Sequence, residues 1–203
     1  ELAIQGSNDT LSNADRTIIA KEVTSLRDGL FSLANTKDES GNYIFSGTKV
    51  KTPAFSRDAD GVMTYGGDQN QTSVDISEYR QVSVNRPGDE IFSSVSRTSD
   101  NGNSANIGFF KVIDDFIDAL EGSSGTNISQ GLEEISTLTD DMALSLADLG
   151  SRMNTVDNQR DILADTKLRY QELLSNAEDL DYATAVTKLS SQILSLCLFA
   201  GLK

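Results

Sequence analysis

The sequence predicts an α+β chain: an elongated antiparallel helical bundle made from both chain ends, with an inserted small antiparallel β domain. Three observations predict it. Apolar residues recur every three or four positions over residues 10–36. The same periodicity returns over residues 105–196. Between these stretches, residues 42–97 break into short apolar runs separated by glycine-containing turns, the pattern of brief strands. Each helical end carries one apolar stripe, and the two stripes are buried most simply on each other. The termini are therefore expected side by side, with the β unit projecting from one end of a helical rod. The expected division is a discontinuous rod of residues 1–41 and 105–203, and a β-rich outer domain of residues 42–104.

The N-terminal helix has a start signal. Ser12-Asn13-Ala14-Asp15 has the form of a capping box, in which the serine oxygen accepts from a helix-end amide and the aspartate reaches back to the cap amide. Asp15 also suits the positive end of the helix dipole. Leu11, Ile18, Val23, Leu26, Leu30 and Leu33 form the stripe, with Lys21, Glu22, Arg27 and Asp28 between them. Residues 1–11 contain Leu2 and Ile4 but no helix start, and the chain opens on Glu1, as a piece cut from a longer chain would.

In the middle, Tyr43-Ile44-Phe45 lies between Gly41 and Gly47, and Val62-Met63-Thr64-Tyr65 between Asp60-Gly61 and Gly66-Gly67. Val74 and Ile76, then Val82 and Val84, alternate with polar residues. Asp60-Gly61 is a hairpin signal because glycine takes positive φ without steric cost, and Pro87-Gly88 is a second turn.

From Ile107 the pattern is helical. Ile107, Phe110, Ile113, Phe116, Ile117 and Leu120 define a first helix that ends at the loop Gly122-Ser123-Ser124-Gly125. A longer stripe runs from Ile128 through Leu138, Met142, Leu149, Met153, Val156, Leu163, Tyr170 and Leu174. It skips a beat near Asp179-Leu180-Asp181 and resumes with Tyr182, Val186, Leu189, Ile193 and Leu196. Gly150 weakens the middle by about 1 kcal/mol relative to alanine and marks a place for a bend or break. Most of this stripe is expected to be core, and its terminal portion to bind neighbouring chains.

Composition narrows the function. The chain has 203 residues and a formal net charge of −14, which opposes binding to nucleic acid or to anionic lipid. No apolar run approaches the roughly 20 residues that span a bilayer. There is no histidine, which removes the commonest general base and metal ligand. The single cysteine, Cys197, cannot form an internal disulfide and has no histidine to activate it, so it reads as a small apolar contact rather than a nucleophile.

Other motifs have plain structural readings. Asp58-Ala59-Asp60-Gly61 opens like a calcium loop but lacks the later oxygen ligands, and is expected to be a turn. The pairs Asp114-Asp115, Glu133-Glu134 and Asp140-Asp141 are the residues that paired-carboxylate glycoside hydrolysis would need. Their helical spacing instead places them on a solvated outer face, where they would steer assembly by meeting basic patches on neighbouring subunits. Asn8, Asn70 and Asn127 open Asn-x-Ser/Thr sequons that occur by chance. No catalytic, cofactor-binding or metal-binding residue is expected, and no cofactor.

Two blocks carry a resemblance. The stretch Asn13-Ala14-Asp15-Arg16-Thr17-Ile18-Ile19-Ala20-Lys21-Glu22-Val23 leads through Leu33-Ala34-Asn35 to Gly41-Asn42-Tyr43-Ile44-Phe45-Ser46-Gly47-Thr48. Later come Leu149-Gly150-Ser151-Arg152-Met153-Asn154-Thr155-Val156 and Asp181-Tyr182-Ala183-Thr184-Ala185-Val186-Thr187-Lys188-Leu189. Together these resemble flagellar hook-associated protein 3, the hook–filament junction family within the flagellin superfamily. The resemblance implies a structural, non-enzymatic subunit of the bacterial flagellum, with its helical body in the wall of the axial structure and its β domain outward. It also implies terminal coiled-coil segments that order on assembly. The implied partners are hook-associated protein 1, flagellin, copies of the chain itself and an export chaperone. Export by the flagellar type III route, without a cleaved signal peptide, would place it outside the cell in the flagellum. Without full terminal segments the chain is expected to be monomeric in solution. Cys197-Leu198-Phe199-Ala200-Gly201-Leu202-Lys203 departs from the family's glutamine- and alanine-rich continuation. The alternative is flagellin itself, a filament subunit; a strand-rich insert of this size after Thr48 favours the junction family.

Overall fold

A computed structural model of the chain describes its residues except 60, 78–79, 99–101, 103, 124–126 and 201–203, and gives no side-chain surroundings for 180, 181 and 196–200. In order, the elements are α1 (Leu2–Gly6), α2 (Asn13–Ala34), β1 (Phe55–Arg57), β2 (Met63–Tyr65), β3 (Ser73–Ser77), β4 (Arg80–Ser83), α3 (Gly88–Ile91), β5 (Val95–Thr98), β6 (Ser104–Ile107), α4 (Phe109–Glu121) and α5 (Ile128–Ala200). The α+β class holds, with helices from both chain ends around a strand-rich middle. The chain divides into two compact units, Glu1–Arg152 and Met153–Lys203.

In the first unit, α2 starts where the capping box places it. Ser12 Oγ accepts from Asp15 N at 3.2 Å, and Asp15 Oδ2 accepts from Ser12 N at 3.3 Å. At the other end, Asn35 ties the helix to β1. Its Nδ2 donates to the carbonyls of Phe31 and Phe55, and its Oδ1 accepts from Phe55 N at 3.0 Å.

Helix α4 is strongly amphipathic, with Lys111, Asp114, Asp118 and Glu121 along one side, and nine of its 13 residues are buried, so it is the centre of the unit. It runs antiparallel to α2: Ile19 and Leu120 both flank Gly6, Arg27 pairs with Asp114, and the Phe31 and Phe110 rings lie 5.8 Å apart. Gly122, at φ 75°, ends α4 in the left-handed conformation that glycine adopts without strain. The chain then returns as α5. Gly131 lets α5 approach closely, since a Cβ there would come within 2.7 Å of Phe116 Cδ2.

The strands pair as three separate two-stranded antiparallel ribbons, β1–β2, β3–β4 and β5–β6. Each closes over a short connection in sequence, so no long-range pairing is needed. A phenylalanine cluster joins ribbons to helices. Phe92 lies 5.3 Å from Phe55, 5.2 Å from Phe109 and 5.9 Å from Phe45, all edge-to-face.

Local readings needed correction. Tyr43-Ile44-Phe45 is not a strand; Tyr43 makes an isolated bridge to Lys37, and Ile44 N donates to Thr36 O. Pro87-Gly88 opens the short helix α3 rather than a simple turn. Ile107 closes β6 instead of entering the following helix. α1 forms where no start signal stood, and Leu2, Ala3 and Leu11 pack on the core. α5 passes through Gly150 without a break in its helical assignment.

In the second unit, α5 supplies the described structure, and no described side chain from residue 153 to 195 is buried. The expectation that most of the long stripe is core is therefore overturned: Met142 is the last α5 residue packed on the core cluster.

Candidate assembly surface

The acidic pairs form a solvated outer face only in part: Glu133 and Asp140 are exposed, whereas Asp115 and Glu134 are buried. Successive helix positions differ by about 100° around the axis, so the two members of a pair face different surroundings. Asp115 and Glu134 are each 6% exposed. Both close on Arg97 of β5, whose Nε and Nη2 hold Glu134 at 2.7 and 2.5 Å while Nη1 holds Asp115 at 2.5 Å. Lys111 also pairs with Asp115, and Gln130 Nε2 donates to Glu134 at 3.1 Å. The Glu134 carboxylate, followed by Asp115, holds the Arg97 pKa well above its usual value despite burial. Asp114 pairs with Arg27 of α2, and Asp141 accepts from Ser93 Oγ at 2.8 Å. Burial lowers the Arg27 pKa, but its bonds to Asp114 and Asp28 outweigh this and leave it raised. Asp114, Asp115 and Glu134 do meet basic partners, but these are arginines and a lysine of the same chain. Their chemistry is a clamp that fixes the β5–β6 ribbon to α4 and α5.

The Tyr43–Thr48 block is a second fixed node. Phe45 O accepts from Gly88 N at 2.7 Å and from the Tyr65 hydroxyl at 3.1 Å. Asp68 Oδ1 accepts from Thr48 N at 2.8 Å, and Asn85 Nδ2 donates to Gly47 O at 3.1 Å. The Thr48 hydroxyl and amide hold the Asp68 carboxyl below its ordinary range. Burial first, then the nearby Asp89 charge, pushes the Tyr65 hydroxyl up to about 12. Gly47 sits at φ 67°, and a Cβ on it would overlap the Asp68 side chain and backbone, so only glycine fits. The block therefore shapes the scaffold.

The remaining sequence candidates are local turns or lie elsewhere. Asp58 Oδ1 accepts from Val62 N at 2.8 Å and Gly61 adopts φ 85°, while Asp60 lies outside the described residues. Among the described residues no group of three acidic, cysteine or histidine side chains is placed to hold a metal. The Asn8 and Asn127 side chains accept from backbone amides two residues on, and the amide of Asn70 donates to Asp68. The side chain of Cys197, and residues 201–203, lie outside the described set.

What stands out is the second unit's apolar stripe. Met153 is 58% exposed, Leu163 56%, Tyr170 69%, Leu174 60% and Leu189 57%. Leu163, Thr166, Lys167, Tyr170, Gln171 and Leu174 line a shallow depression along the helix. Arg160 and Lys167 interrupt the stripe at core-type positions, a device that fixes register in helix pairing. From Leu174 the four-residue steps through Glu178 and Tyr182 to Val186 locally unwind a heptad pattern, which accounts for the skipped beat. These apolar residues form a continuous exposed stripe with no cover among the described residues. No described helix is long and apolar enough to cross a membrane.

No local sequence signal marks the arginines that organise the first unit. Arg97 and Arg86 sit in short polar stretches, and only an excess of carboxylates on the facing helices hinted at a need for cations.

No protein-family model matches the chain. Curated relatives do. Flagellar hook-associated protein 3 of Escherichia coli K12 is 26% identical over 95% of the chain, and that of Salmonella typhimurium LT2 is 25% identical over 95%. The chain spans 64% of the length of each of these relatives. Among solved structures, flagellar hook-associated protein 3 from Legionella pneumophila matches with a TM-score of 0.75 and 18% identity, covering 88% of this chain and 86% of that one. A crystal form of FlgL from Xanthomonas campestris matches with a TM-score of 0.73 and 21% identity over 86% of each chain. The structural matches show the fold. With the curated relatives, they bear out the resemblance read from the sequence: the chain is similar to flagellar hook-associated protein 3 over 95% of its own length.

Proposed function

We propose that this chain is a structural, non-enzymatic subunit of the bacterial flagellum at the hook–filament junction, adapting hook-associated protein 1 on one side to flagellin on the other. The uncovered stripe of α5 carries this reading. An apolar helical face from Met153 to Ile193 has no covering partner among the described residues and is the surface a tube of packed helices would bury. The similarity to junction proteins over 95% of the chain gives that surface its setting.

In this proposal the helical residues 1–41 and 105–203 lie in the wall and residues 42–104 face outward. Neighbouring copies, hook-associated protein 1 and flagellin cover the stripe. An export chaperone covers it before secretion through the type III route, without a cleaved signal peptide. Of the paired carboxylates, Asp115 and Glu134 are engaged with Arg97 and Lys111 in structural pairing.

The test is rescue of a junction-protein deletion strain of the source bacterium. The full-length gene restores filament attachment, and the triple substitution Leu163→Ser, Tyr170→Ser, Leu174→Ser does not. Loss of rescue by the unaltered gene rejects the junction role. Labelling confined to the base of the filament separates it from a flagellin, which would label throughout.

A further inference from the structure

Apolar and polar anchoring of α5 stop at different places. Met142 is its last residue on the core cluster, and Leu144, Leu146 and Leu149 are 70%, 69% and 51% exposed. Yet polar contacts to the segment around α3 continue for nearly two more turns, as far as Asp148. Ser93 Oγ donates to Asp141 Oδ2 at 2.8 Å. Arg86 Nη1 donates to the backbone carbonyl of Ser145 at 3.2 Å and lies 3.1 Å from Asp148 Oδ2. Arg86 is itself steadied by Glu90 Oε2 at 3.1 Å, and Glu90 also accepts from Gln71. Asp148 Oδ2 accepts in addition from Arg152 Nε at 2.8 Å. Positions 141, 145 and 148 step by four and three, so one helix face meets the α3 segment through these polar groups, and Arg152 braces Asp148 from the next turn.

We propose that Arg86 is the centre of a polar latch that holds residues 143–152 of α5 against the α3 segment and releases them without opening the core. The inference rests on the stripe being an assembly surface, and names how it is presented. With the Asp141–Asp148 face held down, Leu146 and Leu149 lie on a neighbouring face and stay outward. Arg86 acts here as a positioning residue. Its side chain is 26% exposed and that of Asp148 43% exposed, so each contact is weak by itself and screened by salt. A surface held this way yields to a partner that offers the helix a better packing angle, whereas one held by buried rings does not.

Hydrogen exchange followed by mass spectrometry on the intact chain tests this, with no partner present. Arg86→Gln and Asp148→Asn are each expected to speed amide exchange within residues 143–152 about tenfold, with α4 amides unchanged. Raising NaCl to about 0.5 M should speed the same amides in the unaltered chain and have little further effect in Arg86→Gln. If both variants exchange as the unaltered chain does, or if exchange rises equally in α4, the latch is wrong. Should Arg86→Gln fail to fold, Asp148→Asn decides the matter, because it removes one charge from a partly exposed site. The measurement reads the chain alone, so its failure leaves the junction role to be judged by the deletion strain.

Discussion

Between Ile128 and Met142, α5 spends its apolar residues on the fold: Leu138 is 3% exposed, and Ile128, Ile135 and Met142 pack on the core cluster. Between Met153 and Ser195 the same three-and-four spacing recurs, and no described side chain is buried. The periodicity is alike in both stretches, so periodicity alone does not decide the outcome. The difference lies in what faces each stretch. Over the first, α4 presents Phe116 against Gly131, and Arg97 reaches Glu134 from the β side. The second has no such complement among the described residues. An amphipathic stripe states that a surface is to be covered; whether the same chain covers it depends on the elements that remain to pack there.

The largest way to break this comparison is to remove the aromatic wall that the first stretch packs on. Phe116 is fully buried, and Phe116→Ala should cost about 3–5 kcal/mol in urea unfolding of the isolated chain. A cost below about 1 kcal/mol would mean that the first stretch is not held by the core after all. Next comes the charge clamp. Arg97→Gln leaves Asp115 and Glu134 buried near each other with, among the described residues, Lys111 and Gln130 as their remaining partners. Removing one member of a well-buried ion pair costs about 3–5 kcal/mol. The retained partners and the part-exposed guanidinium, at 17%, reduce the expected loss to about 2–3 kcal/mol. The same unfolding experiment measures it. A neutral result would assign the clamp no role in anchoring β5–β6 to the helices.

Residues with local chemistry were legible in advance. The Ser12–Asp15 capping box is formed as written, because cap bonds involve only groups three residues apart. The helical ends and strand-rich middle were also legible, since each depends on a short period. Long-range matching was not. The sequence places Arg97 in a polar run and Glu134 in an acidic pair, and nothing local says that they meet across 37 positions. The same limit applied to the extent of the core. Counting apolar positions extended it along the whole stripe, whereas packing ends it at Met142. The Tyr43–Thr48 block was recognisable by likeness, and its physical cause emerged only with Asp68, Asn85 and Gly88 brought against it from far along the chain.

The smallest expected effect gives the sharpest contrast. Leu163 in the second stretch is 56% exposed. Leu163→Ala should change the unfolding free energy of the isolated chain by no more than about 0.5 kcal/mol, because an exposed side chain leaves no cavity and alanine is at least as good a helix former. A buried leucine such as Leu138, at 3% exposure, should lose about 2–5 kcal/mol on the same change. If Leu163→Ala were as costly as Leu138→Ala, residue 163 would be buried within the isolated chain, and the stripe would lose its standing as an open surface. If the two differ as expected, while Leu163→Ser with its stripe neighbours abolishes filament attachment, the leucine contributes to an intermolecular contact and almost nothing to the fold that presents it.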